Sequence, residues 1–386
     1  MPSWIWESTD WPAFHWRETE ISPALARARL SQGRILGAAS LLDPALTLDA
    51  DASILVEDGL QTSAIEGERL DLDAVRSSVA RHLGLPTGDL PIPSRSIDGL
   101  IDVLLDATQR FEAPLTLERL LGWQAALFPT GYSGLRPIRA GQLRGVEPME
   151  VVSGLPGGER VHFLAPPRER LEAELARFLD WFQAPPAGLD GLVRAGIAHL
   201  WLITLHPFED GNGRLARAVT DMAIAQDERR PMRLFSLSAQ IQRRRNAYYK
   251  NLEHTQRGDL DITSWLVWFL EQVEDAARQA HSILARTLGK ARFWLRFQSV
   301  EINERQRKVL NRLLDARPGG FAGGINNRKY MGLTHASRAT ASLELTDLVA
   351  KGCLVPTGQG GRSSAYEIPW AELAGRPHPT SMNRDS

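Results

Sequence analysis

The sequence predicts a mainly α-helical protein with one inserted β-hairpin and a C-terminal winged helix-turn-helix, and three observations carry that prediction. Apolar residues recur at helical spacing through most of the 386 positions. Residues 147–164 hold two short β-rich runs, MEVVSG and ERVHFL, joined by the Gly/Pro turn GLPGGE, the one strong hairpin signal before residue 320. From about residue 301 the outline changes to helix, helix, then two extended Gly-flanked runs, CLVPTG and SSAYEIP, which is the order of a winged helix.

Taken in order, helical spacing covers 25–36, 52–60 and 72–83, and the break LGLPTGDLPIP at 83–93 closes that region. The pattern resumes at 97–107 and 117–127, and after the hairpin at 169–182, 191–205, 217–225, 239–252 and 263–285. In the C-terminal part, 306–314 and 337–351 read as helices, the second being the one expected to enter a major groove. Residues 301–370 hold ten Lys/Arg and six Asp/Glu, an excess of four positive charges, although Glu344 and Asp347 on that second helix count against DNA. The polar tail 371–386 reads as disordered.

Composition narrows the function classes. With 45 Lys+Arg against 46 Asp+Glu, a global nucleic-acid coat or a membrane-surface protein is excluded. A single cysteine, Cys353, forbids an internal disulfide, and the acidic start MPSWIWESTDW lacks the form of a signal peptide. No apolar run approaches the ~20 residues of a spanning helix, so the reading is cytoplasmic, with no membrane. Eleven of the aromatic residues are Trp, which marks large buried contacts and names no chemistry.

The segment that carries chemistry is HPFEDGNGRLAR at 206–217, between two helical runs. Pro207 ends the helix before it, and Gly211 and Gly213 allow a tight loop whose N–H groups turn inward beside a helix N-terminus, an anion cradle. Arg214 and Arg217 are three apart, so both project from the first turn toward the same anion. Asp210 beside phosphates suits Mg²⁺, and His206 is the group there able to take a proton near neutral pH. Bound nucleotide, metal and base make a phosphate-transfer site. His199 lies seven residues earlier and reads as helix packing, and the triplet Arg243, Arg244 and Arg245 as a solvated face.

These residues match the motif H-P-F-x-D-G-N-G-R-x-x-R, and the chain resembles the Fic (Fido) family. The segments WIWESTDWPAFHW, TSAIEGE, VVSG with VHFLAPP, and RRNAYYKNLE extend the resemblance to members with an N-terminal helical extension and a C-terminal winged helix. The resemblance implies transfer of AMP from ATP to a Ser, Thr or Tyr hydroxyl of a target protein. His206 would deprotonate the hydroxyl, Asp210 would hold Mg²⁺, and Gly211, Asn212 and Gly213 would line the anion hole. Arg214 and Arg217 would take the β- and γ-phosphates, and Tyr248, Tyr249 and Gln256 would lie at the nucleoside, Gln256 standing where members often carry Asn. Val151, Val152, Ser153 and Gly154 would be the flap that docks the target as an added strand. Thr62-Ser63-Ala64-Ile65-Glu66-Gly67 fits the family's inhibitory pattern [ST]-x-x-x-E-[GN], in which Glu66 would pair with Arg217 and exclude the γ-phosphate.

The implied organisation is an N-terminal helical region over 1–113, a catalytic core over 114–285, a linker helix over 286–300, a winged helix over 301–370 and the tail over 371–386. Two alternatives stand beside protein AMP-transfer: removal of AMP, with Glu66 orienting water, and a DNA-binding regulator whose body senses nucleotide. A homodimer is left open.

Overall fold

The computed structural model describes residues 4–40, 44–153, 158, 160–231, 233–315, 323–357 and 365–370. The expected hairpin turn with Gly154 and the expected tail lie outside these. The chain forms two compact units, Met1–His281 and Ser282–Ser386, the division falling inside one helix.

The first unit opens with a 3₁₀ turn, Ile5–Glu7, followed by α1 (Glu18–Ala39), α2 (Pro44–Ile65), α3 (Leu72–His82), α4 (Arg95–Gln109) and α5 (Leu117–Leu127). Strands β1 (Tyr132–Ser133) and β2 (Arg136–Pro137) pair around a turn, and β3 (Glu150–Ser153) pairs antiparallel with β4 (Arg160–Leu164). Then come α6 (Arg168–Gln183), α7 (Gly191–Leu205), α8 (Asn212–Glu228), α9 (Leu237–Arg243), α10 (Arg245–Gln256) and α11 (Thr263–Arg296). Helix starts follow capping chemistry: Asp71, Ser94, Thr116, Asp190 and Ser236 each accept from a backbone N–H two or three residues on.

The core sits on α7 and α8. Helix α7 is buried from Leu192 to Leu205 apart from Arg194, because its residues are apolar on every face, and it packs along α8 more extensively than any other pair of elements. The N-terminal arm accounts for much of the Trp excess. Trp4, Trp6 and Trp11 are buried, with Trp6 Nε1 donating to the Leu164 carbonyl at 2.7 Å and Trp11 Nε1 to Glu174 at 2.9 Å.

The second unit contains α12 (Glu304–Asp315), α13 (Asn327–Thr334), α14 (Arg338–Ala350) and the paired strands β5 (Val355–Pro356) and β6 (Tyr366–Glu367). Leu310, Leu314, Tyr330, Leu345 and Leu348 form its core with Cys353, whose thiol burial pushes up to about 11 and leaves protonated.

Three departures from the sequence reading have physical reasons. Helix α13 was not expected, since its eight residues include one fully buried side chain, Tyr330, and give periodicity nothing to register. The β1–β2 pair has two residues per strand and no alternation; Gly134, at φ 57°, makes the turn. Glu344 does not face outward from α14 as its weight against DNA assumed. It is buried, paired with Arg305 and accepting from Tyr330 Oη at 2.6 Å, while Asp347 pairs with Lys351 and accepts from Gln306 at 2.7 Å.

Candidate active site

The chemistry-bearing loop runs from the C-terminus of α7 to the N-terminus of α8. His206 caps α7 in the left-handed region, φ 47°, because Pro207 cannot continue the helix. Its Nδ1 lies 3.2 Å from the Ile203 carbonyl, which can only accept, so Nδ1 carries the proton and Nε2 keeps its lone pair. Burial is the main cause that lowers His206 to about 4, so the imidazole is neutral and able to act as a base at pH 7.

Asn212 fastens the loop from both ends: its Oδ1 accepts from Phe208 N–H at 3.0 Å and its Nδ2 donates to the Phe208 carbonyl at 2.8 Å. Gly211, at φ 89°, is required twice, by its conformation and because a Cβ there would stand 2.9 Å from the Phe128 ring. Asp210 accepts from the Gly211 N–H at 2.5 Å and from the Ser133 hydroxyl on β1. Among the described residues no group of three metal-ligating side chains gathers, so a metal would rely on the single Asp210 carboxylate and on oxygens brought by a ligand, which fits a hard ion on a polyphosphate.

The two arginines differ. Arg217 is buried: Nε donates to Thr62 Oγ1 at 2.7 Å and Nη2 to the Thr62 carbonyl at 3.0 Å and to Glu66 Oε1 at 2.7 Å. Its Nη1 has no hydrogen-bond partner among the described residues. Arg214 lies over the Phe128 ring at 4.8 Å and meets Glu68 at 3.4 Å. A Cβ on Gly213 would fall 2.2 Å from Glu66 Oε1, so the Glu66 carboxylate rests directly on the cradle. Beside it opens a cavity of about 690 Å³ lined by Glu66, Glu68, Phe128, Ser133, Asp210 and Arg214, within the range of nucleotide-sized sites.

Glu66 follows the last turn of α2, which Gly67 closes at φ 86°. Arg245 Nε and Tyr249 Oη both donate to the Ile65 carbonyl, at 2.7 and 3.3 Å, and Arg243 meets Glu57 at 3.5 Å. Two members of the basic triplet therefore hold α2, where a solvated face was expected. Two turns back on the same helix, Asp58 is buried and accepts from Ser236, beside Asp221 of α8, which is paired with Arg233. Burial, reinforced by the neighbouring Asp221 charge, raises Asp58 well above the carboxylate range.

Tyr248, Tyr249 and Gln256 do not share one surface. Tyr248 and Gln256 are buried, and Gln256 Nε2 donates to Thr204 Oγ1 at 3.1 Å. Behind Arg217 the hydrogen bonds have a fixed direction. Thr220 donates to the Ala216 carbonyl at 2.7 Å, so it accepts from His199 Nδ1–H at 2.9 Å, and His199 Nε2 accepts from Tyr248 Oη at 2.9 Å. Burial lowers His199 to about 3, which keeps that neutral tautomer and sets the phenol oxygen against the Arg217 guanidinium. Helix packing is thus the observed role of His199.

In the hairpin, Val151 faces Phe163, Val152 faces Val161 and Ser153 faces Arg160, with a bulge between Val151 and Val152. Strand β4 is tied to α10 through Arg160 and His162 on Glu253, at 2.7 and 2.8 Å, and β3 is the outer strand, with Val152 half exposed. Sequence reasoning missed Ser133, Glu68, Arg245 and Asp58 as parts of the site. No spacing rule reaches them.

Residues 114–224 match the Fic/DOC family, and residues 4–85 match a domain of unknown function, DUF4172. The chain is 34% identical over 118 residues to the Uridine 5'-monophosphate transferase of Xanthomonas campestris pv. campestris, covering 29% of this chain and 21% of that protein. It is 28% identical over 210 residues to Protein adenylyltransferase fic-1 of Caenorhabditis briggsae, covering 52% and 36%. The chain thus spans well under half the length of these curated relatives. A Fic family protein from Desulfovibrio desulfuricans superposes with a TM-score of 0.50 at 19% identity, over 90% of this chain and 96% of that one, which bears on the fold. A complete HPFEDGNGRLAR loop on a cradle between two buried helices, inside the matched segment, marks residues 114–224 as a Fic/DOC domain.

Proposed function

We propose that the chain is an autoinhibited protein AMP-transferase, moving AMP from ATP to a hydroxyl side chain of a target protein. The observation that carries the reading is the Glu66 carboxylate resting on Gly213 and bound to Arg217, an anion in an anion site. A Mg²⁺ ion held by Asp210 would supply charge neutralisation on the phosphates when bound. The hydroxyl oxygen attacks the α-phosphorus, its proton passes to His206 Nε2, and the bond to the β-phosphate breaks, releasing pyrophosphate. Backbone N–H groups of 211–213 face the developing charge, with Arg214 and Arg217 on the leaving phosphates. Tyr249, half exposed beside Arg245, is the tyrosine of the pair open to a nucleoside. The outer edge of β3, including Val151, Val152 and Ser153, is the surface for an added target strand.

Glu66→Gly is expected to raise self-labelling from labelled ATP at least tenfold; equal labelling of both forms removes the inhibitory role of Glu66. The same assay with labelled UTP tests the base, since one relative is named as a uridine 5'-monophosphate transferase. Signal from UTP alone would keep the cradle chemistry and overturn the AMP assignment.

For the C-terminal unit the reading includes a macromolecular partner at α14. With Glu344 and Asp347 engaged in internal pairs, Arg338, Ser342 and Thr346 remain on the exposed side. A gel shift of the full chain with duplex DNA, lost between low and high salt, separates DNA from a protein partner.

A further inference from the structure

A groove with about 840 Å³ of space lies outside the nucleotide site. Its walls are the N-terminal arm from Asp10 to Trp16, the start of α1, the end of α6, the loop 186–190 and the flank of α7. None of these residues belongs to the nucleotide site.

Two independent features describe what would fit it. First, the surface is aromatic and already assembled. Phe14 and Trp181 both meet Trp201, at 5.6 and 5.4 Å between ring centroids, and Trp16 is tied down by Nε1 donating to Glu18 at 2.9 Å. Little ordering is left for a ligand to impose. Second, the rim is acidic: Asp10, Glu18, Asp180 and Asp190 line it against one cation, Arg177. Asp190 is engaged by Arg29, and Glu18 by Trp16, so Asp10 and Asp180 are the exposed acids of the rim with no ion pair among the described residues.

A ligand answering both has flat apolar surface for the indoles and positive charge for the rim. We propose that this groove docks an extended, proline-bearing, basic peptide segment of a partner protein. Such a segment keeps its backbone carbonyls unpaired in the polyproline II conformation, offers proline rings to aromatic walls, and carries Arg or Lys to Asp10 and Asp180. The groove wall includes Trp201, five residues and about 7.5 Å of helix rise before His206. A partner held there is tethered to the helix that ends in the catalytic loop. The groove would bind with or without nucleotide, so this proposal does not depend on the transferase reading.

The test uses the full chain without ATP, titrated with fluorescein-labelled Arg-Pro-Pro-Arg-Pro-Pro-Arg at low salt. Saturable one-to-one binding that weakens with added NaCl is expected, and the peptide with Glu in place of each Arg should bind at least tenfold more weakly. Asp10→Asn with Asp180→Asn should weaken binding about fivefold, and Trp16→Ala about tenfold. If Trp16→Ala fails to fold, the double Asn variant and the Glu peptide decide. Equal binding of the Glu peptide, indifference to the Asn pair, or full competition by argininamide at the peptide's own concentration would each overturn the proposal, the last by making this a small-cation pocket.

Discussion

Helix α2 makes two polar contacts of opposite character. At the C-terminal end of α2 a half-exposed Glu66 reaches a buried Arg217 at 2.7 Å. Two turns earlier, about 12 Å along the helix, Asp58 is sealed with Ser236, Asp221 and Arg233. In the proposed autoinhibition the first contact exchanges one anion for another, a phosphate for the half-exposed Glu66 carboxylate. The second offers no such exchange, because its carboxyl is buried among Ser236, Asp221 and Arg233. Under that proposal α2 has an anchor at Asp58 and a displaceable tip at Glu66.

The largest expected effect breaks the tip's purpose. His206→Ala placed in the Glu66→Gly background should lower labelling about 10²- to 10⁴-fold, the usual worth of a positioned base; retention of full labelling would take His206 out of the reaction. Arg217→Ala in the same background should raise the KM for ATP by more than tenfold, since it removes a buried guanidinium aimed at the cradle, whereas Arg214→Ala, shared with Phe128, should act less.

The anchor is tested by pH. Asp58 in the folded chain titrates above its unfolded value, so the folded state binds the extra proton between the two. The stability this group contributes is therefore present below the ordinary carboxylate pKa and is lost as pH rises through the raised value. Melting temperature should fall as pH rises across that window, and Asp58→Asn, which can still accept from Ser236, should flatten the slope. An unchanged slope in Asp58→Asn would show that the buried pair does not govern it. By contrast the pH–rate profile of Glu66→Gly should have its acid limb at or below about 4, since burial lowers His206 and the variant removes the Glu66 charge that raises it, and stay level through pH 6 to 7. The smallest effect is expected from Glu68→Ala: its pair with Arg214 is half exposed at 3.4 Å, so labelling should change by no more than a few-fold.

Much of the tip was legible in the sequence and almost none of the anchor. Thr62 and Glu66 stand four apart, one helical turn, and Arg217 contacts both, so a short local pattern records a long-range contact. Asp58, Ser236, Asp221 and Arg233 lie on α2, α8, the connection between α8 and α9, and the cap of α9, and no single spacing joins them. The same division runs through the fold. Long periodic helices such as α7 and α8 were readable, while α13 and the β1–β2 pair were not, being too short to show a period. Glu344 shows the limit from the other side. Its charge was visible, but the direction it faces was decided by Arg305 and Tyr330, brought from other helices.

By itself the sequence determined the chemistry-bearing loop, because a glycine-rich turn with a base, an acid and two arginines is written in twelve consecutive residues. It also determined the helical content, through apolar residues recurring at the helix period. Only the tertiary structure decided that Glu66 rests on Gly213, that His199 serves Tyr248 and not a metal, and that the Trp-rich arm leaves an acid-rimmed groove along α7. The physical reason is range. Backbone propensity and capping act over a few residues, whereas burial, charge pairing and the shift of a titrating group depend on whatever the fold brings within a few ångströms.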